Sequence, residues 1–143
     1  MKTRFIKLLT VSILLIFVSI SCEDLENLTS ENVRERIEGY WMVSEDCTSC
    51  KSTFDAFNVY ISPHPDDSTM VLIDNFGQLG WEVSARARIS GRNLYINSQT
   101  LEGGWTVLGS GTISSNFKEI KWNYSMDDGS GIADQYVATY TKQ

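Results

Sequence analysis

Cys47-Thr48-Ser49-Cys50 is the arrangement whose spacing most directly carries chemistry. Two thiols separated by two residues can form a local disulfide, exchange electrons, or supply half of a zinc site. Redox catalysis by such a pair needs a strand before it and a helix starting at it. Here a strand-like run follows, so a redox role is not expected. A zinc site needs two further ligands, but the chain has one histidine, His64, and no second C-x-x-C; no metal is expected. His64 sits in the turn Pro63-His64-Pro65-Asp66-Asp67, with no nucleophile pattern around it. Asp66-Asp67 and Asp127-Asp128-Gly129 lack the alternating oxygen ligands and terminal glutamate of a calcium loop, and read as turn chemistry. Arg86 and Arg88 share one strand face and could hold an anionic group or pair with surface acids. Gly103-Gly104 and Gly109-x-Gly111 precede no helix start, which excludes a phosphate loop. No catalytic set emerges, so neither an enzyme nor a cofactor is expected.

The N-terminus supplies the context for these cysteines. Lys2, Arg4 and Lys7 form a basic region, and residues 8–20 are almost entirely apolar. That run is shorter than the roughly 20 residues of a bilayer-spanning helix and fits a signal sequence. Its end, Ser19-Ile20-Ser21-Cys22, resembles a bacterial lipoprotein signal, in which small residues precede a cysteine that becomes the new N-terminus. Ser19 stands where leucine is usual, and this looser form resembles lipoproteins of Bacteroidetes-type bacteria. Glu23-Asp24 resembles the acidic signal that sends such lipoproteins to the outer face of the outer membrane. The resemblance implies removal of residues 1–21, lipidation at Cys22, a tether over 22–29 and an outer-membrane location. Two or more acyl chains would hold the protein stably, at about 0.8 kcal/mol per buried methylene.

With Cys22 acylated, Cys47 and Cys50 remain as an even pair in an oxidising compartment, and a local disulfide is expected. Removing 21 of 143 residues leaves 122, enough for one domain with a single core. The three basic residues lost with the leader take the net charge from −6 to −9. So acidic a domain is a poor partner for nucleic acid.

The elements that position these residues follow from periodicity. Residues 31–38 read as a short helix, capped by Ser30, with Val33 and Ile37 on one face. From Gly39 the period becomes two. Strands are predicted over 40–44, 53–62, 69–74, 81–89, 94–97, 105–114, 119–125 and 135–142, the third covered on both sides. The cleanest alternation is Trp81, Val83, Ala85, Ala87, Ile89 against Glu82, Ser84, Arg86, Arg88. Turn clusters separate the strands at the spacing of an all-β sandwich or barrel, and local hairpins imply up-and-down order. The expected domain, residues 30–143, is an all-β, eight-stranded antiparallel barrel with a short N-terminal helix.

Gly39-Tyr40-Trp41 on the first strand resembles the Gly-x-Trp that opens lipocalin and wider calycin barrels. The short helix, the eight meandering strands and the leader together resemble small lipocalin-like lipoproteins. In lipocalins that tryptophan packs at the closed barrel end against an arginine near the final strand; here the final strand offers Lys142. The resemblance implies a calycin-like barrel. Trp41, Trp81, Trp105, Trp122, Tyr124, Tyr136 and Tyr140 fall on candidate inward positions. They either line a cavity for a small apolar or amphipathic ligand or fill the barrel themselves. The second case leaves a surface module that meets a protein or glycan partner.

Overall fold

Alternating apolar and polar residues along each strand force one face of the sheet inward, and closure of that sheet removes its edges. The computed structural model describes residues 28–52 and 54–143. The leader, Cys22 and most of the tether lie outside the described residues. Helix α1 is Ser30–Ile37. It is followed by β1 Gly39–Cys47, β2 Phe57–Pro63, β3 Met70–Asp74, β4 Ser84–Ser90, β5 Asn93–Thr100, β6 Thr106–Ile113, β7 Glu119–Asp127 and β8 Asp134–Lys142. Every strand pairs antiparallel with its sequence neighbour, and β8 pairs with β1 to close the barrel, from Trp41 opposite Lys142 to Cys47 opposite Tyr136. This is the expected eight-stranded, calycin-like architecture. Among the described residues no helix is long and apolar enough to cross a membrane.

Helix α1 closes the end where β1 begins. Thr29, rather than Ser30, is its N-cap, accepting from the Asn32 backbone N–H at 3.3 Å. Val33 and Ile37 are fully buried. The Trp41 indole donates to the Ile37 carbonyl at 2.8 Å. Lys142 lies over the Trp41 ring at 5.6 Å and donates to the Arg36 carbonyl. Lys142 is therefore the final strand's cation at this end of the barrel. Arg36 in turn covers the Phe117 ring at 3.7 Å, and Arg34 donates to the His64 and Asp67 carbonyls in the β2–β3 turn.

Four strand boundaries differ from expectation by three residues or more, one being the end of β5, at Thr100 rather than 97. β1 runs on through Glu45 to Cys47, and β2 starts at Phe57 rather than 53. β4 starts at Ser84, because the Val83 N–H closes a turn onto the Gly80 carbonyl and leaves Trp81 and Glu82 in that turn. The outer side of β3 is only half-covered: Val71 and Ile73 are buried, whereas Met70, Leu72 and Asp74 are intermediate.

Two glycines decide how the interior is filled. Gly109 and Gly111 on β6 face inward directly opposite Tyr124 and Trp122 on β7. A Cβ at Gly109 would lie 2.4 Å from Tyr124 Cβ and 2.6 Å from the Asn123 carbonyl oxygen; one at Gly111 would lie 2.8 Å from the Trp122 ring. The missing side chains make room for the rings. At Gly109 the obstructing atoms include backbone, which cannot rotate away. Gly109→Ala should therefore destabilise the barrel by about 1–3 kcal/mol, the usual cost of overpacking. Urea denaturation compared with Leu108→Ala on the outer face would check it; equal midpoints would contradict it.

Candidate functional site

The interior is layered by strand register. Nearest the helix, Ile113, Ile120, Tyr140 and Val43 lie side by side across β6, β7, β8 and β1. The next layer is Gly111, Trp122, Ala138 and Glu45; the outermost is Gly109, Tyr124, Tyr136 and Cys47. Small residues at 109, 111 and 138 thus alternate with large rings. The rings touch one another: Trp122 and Tyr140 centroids are 5.9 Å apart, and Tyr124 stacks on Tyr136 at 5.3 Å.

Glu45 sits in this aromatic surrounding with 5% of its surface exposed. It faces the interior because β1 continues its alternation Trp41, Val43, Glu45 past the expected strand end. Burial, reinforced by the charge of neighbouring Asp46, pushes its carboxyl up to about 7. Burial and the Glu45 charge push up the phenol of Tyr140; burial, Asp134 and Glu45 push up that of Tyr136. Four buried polar atoms here have no hydrogen-bond partner among the described residues: Glu45 Oε2, Trp122 Nε1, Tyr124 OH and Tyr140 OH. Buried polar atoms are ordinarily satisfied by protein groups or by ordered water, so these four are where water or another polar group from outside the chain would be accommodated.

The barrel end away from α1 is covered by the β3–β4 loop. Phe76 is fully buried, its ring 4.8 Å from Tyr124 and 6.4 Å from Trp122. Asn75, in a left-handed conformation, fixes the loop by donating from Nδ2 to the Asn58 carbonyl and accepting from the Gly80 N–H. Gly77 also has positive φ, and a Cβ there would lie 2.5 Å from Met126 Sδ. Neither Glu45 nor Phe76 was legible as a site residue. Continued alternation was the available signal for Glu45, and an aromatic amid Asn, Gly and Gln was the only one for Phe76.

Of the seven expected interior rings, Trp41, Trp122, Tyr124, Tyr136 and Tyr140 are buried inside. Trp41 belongs to the closed end rather than to the Glu45 cluster. Trp105 is half-buried, packed against the core from just ahead of β6. Trp81 is a correction: its turn swings it outside, where it is 53% exposed and meets Tyr40, whose ring in turn meets Tyr60.

Cys47 and Cys50 form a disulfide, with Cα atoms 5.4 Å apart. Asp134 lies close to both sulfurs, but the disulfide removes the thiolates a metal would need. The bridged loop is pinned to β8: Ser49 Oγ donates to Asp134 Oδ1 and accepts from the Gln135 N–H. Closing so short a loop contributes about 2 kcal/mol by chain entropy. Both cysteines should resist alkylation until reduced, and Cys47→Ser with Cys50→Ser should lower stability by no more than that; prompt labelling of the untreated protein would contradict the bridge.

The remaining candidates lie in turns and on the outer face. Arg88 donates to Thr69 Oγ1 at 2.8 Å and lies 3.9 Å from Asp67, so an acid already faces it. Arg86 shares the outer face but joins no common anion site with Arg88 among the described contacts. Hydrogen bonds from Thr69 are the largest influence holding Asp67 below the usual carboxylate range. His64 Nδ1 accepts from the Asp66 N–H. Asp127 accepts from the Gly129 and Gly131 N–H groups, and Asp128 from that of Ser130, as turn chemistry requires.

The fold and this interior define a class: a calycin-like closed barrel whose aromatic core holds a buried, unsatisfied polar cluster. No protein-family model matches the chain, and comparison with curated proteins gives no match.

Proposed function

We propose that the protein is an exported, lipid-anchored, lipocalin-like binding module of Bacteroidetes-type bacteria. It holds a small amphipathic ligand inside the barrel, at the end away from α1. The observation that supports this most is the set of unpartnered polar atoms at Glu45, Trp122, Tyr124 and Tyr140. A packed interior that merely filled itself would be apolar or internally paired, because each unsatisfied buried group costs about 1–3 kcal/mol. Mutually touching rings favour a small ligand over a long acyl chain. Acylation at Cys22 would hold the barrel at the outer membrane, with its helix-closed end nearest the tether.

A second reading draws support from the outer face. A shallow groove of about 810 Å³ crosses β5 to β8, with Tyr95, Leu108 and Val137 exposed among Asn97, Asn123 and Gln135. Such a surface suits a protein or glycan partner.

Native mass spectrometry of the detergent-released protein from its own cells separates the two. A small molecule that leaves on denaturation supports the interior site. A protein of bare lipidated mass carrying a glycan or protein partner supports the groove. Release of Cys22→Ser from the membrane fraction would test the anchor independently; unchanged retention would remove it.

A further inference from the structure

We propose that the interior site selects a small organic cation, a protonated or quaternary amine of a few carbons. This rests on the interior-binding reading above and names its ligand class. Three observations lead to it. The only side chain in the cluster able to carry full charge near neutrality is acidic, Glu45, and its Oε2 has no partner among the described residues. The surrounding walls are aromatic: Trp122, Tyr124, Tyr136, Tyr140 and the Phe76 roof. Ring faces carry negative potential and attract cations, most strongly where water is excluded.

The charges nearest the cluster agree. Asp46 on β1 and Asp134 at the start of β8 are both acidic. The cations at the α1 end, Arg34, Arg36 and Lys142, are engaged there with the β2–β3 turn, Phe117 and Trp41. An anionic ligand would face these acids, with only the neutral Trp122 N–H and tyrosine hydroxyls to donate to it. A neutral ligand would leave Glu45 either protonated or uncompensated. A cation satisfies the carboxylate directly, and the Tyr124 and Tyr140 hydroxyls can accept from an N–H or orient toward a hydroxyl on the ligand. The groups beside Glu45 on the neighbouring strands, Tyr136 and Tyr140 on β8 and Trp122 and Tyr124 on β7, offer no competing positive charge.

The test uses the detergent-solubilised full-length protein and three probes of similar shape: choline, its uncharged isostere 3,3-dimethylbutan-1-ol, and 3,3-dimethylbutanoate. The Trp122 indole N–H is followed by NMR, its peak assigned with Trp122→Phe. Choline should shift this peak with at least tenfold tighter affinity than the isostere, and the anion should leave it unmoved. Affinity for choline should rise severalfold from pH 6 to pH 8 as Glu45 ionises, and Glu45→Gln should lose at least tenfold. Equal binding of choline and the isostere, or full choline affinity in Glu45→Gln, would overturn cation selectivity while leaving an interior site standing. No shift with any probe would overturn the proposal. If the protein from its own cells also carried no small molecule, the interior-binding reading would fall with it. Because the wild-type pH series needs no variant, the test survives a Glu45→Gln protein that folds poorly.

Discussion

Glu45→Gln should make the protein more stable at pH 8 and leave it nearly unchanged at pH 4.5. Burial raises the Glu45 carboxyl from 4.5 to about 7 in the folded state. The folded protein therefore holds this proton more tightly than the unfolded chain does. Below about pH 4.5 both states are protonated and the group costs nothing. Between there and pH 7 the unfolded chain releases the proton first, and the fold loses stability as pH rises. Above pH 7 the cost is complete. At about 1.4 kcal/mol for each pKa unit, it amounts to roughly 3 kcal/mol. Glutamine keeps the shape and a hydrogen-bonding group but has no proton to lose. Urea denaturation at pH 5 and pH 8 should show the wild-type midpoint falling and the variant's staying level, with unchanged slopes. Asp67 and Asp128 do not confuse the result, because both are held below their usual 3.8 and change stability only in more acidic solution. Wild type and variant falling in parallel would show that Glu45 is not the source. A ligand that compensates the carboxylate would shrink the difference by binding the folded state at high pH.

The parts of the molecule that sequence reveals are those governed by one rule acting alone. Alternation identified eight strands and their order because each inward face must be apolar, and Val43, Val59, Ile61, Ala85, Ala87 and Ile120 are buried for that reason. The four-residue spacing of Val33 and Ile37 placed a helix across one end of the barrel, and both are buried there. Where two rules compete, the pattern misleads. Glu45-Asp46 looks like the polar end of a strand, since acids are almost never fully buried; yet backbone pairing with Ala138 and Val137 carries β1 onward and turns Glu45 inward. Trp81 continues a perfect alternation, but alternation does not register where ladder hydrogen bonds stop, and the Gly80–Val83 turn ends the strand first. Phe76 lies in a segment with every mark of a surface loop. Its burial depends on left-handed backbone at Asn75 and Gly77 and on the room beside Tyr124 and Trp122, both properties of the closed barrel rather than of the local sequence. The expected framework and the cluster's rings, Trp122, Tyr124 and Tyr140, were therefore legible, whereas Glu45 was not: it joins them only because closure pairs β1 with β8.

Phe76→Ala should be the most destabilising single change at the barrel end away from α1 and should also open the site. The ring is fully buried and packs against Tyr124, Trp122 and the space left by Gly77 beside Met126. Truncating a buried phenylalanine costs about 3–5 kcal/mol, the upper part of that range applying where neighbours cannot collapse. Collapse is restricted here. Asn75 keeps the loop pinned to β2 and to Gly80 through its side-chain amide, and the stacked Tyr124–Tyr136 pair belongs to paired strands. The variant should therefore retain the barrel, with a lower urea midpoint, and gain a cavity of ring size next to Trp122. Benzene or toluene should bind that cavity and quench or shift Trp122 fluorescence in Phe76→Ala but not in wild type. Small interior ligands should associate faster, because the roof no longer has to move. Loss of stability without any new aromatic binding would mean that the loop collapses into the space, and Phe76 would then be a packing residue only. Phe76→Leu separates the two roles: it restores most of the buried volume and should recover most of the stability, since near-isosteric apolar exchanges usually cost under about 1.5 kcal/mol. If faster association persists in that variant, the aromatic ring itself, through its contacts with Tyr124 and Trp122, is what keeps this end closed.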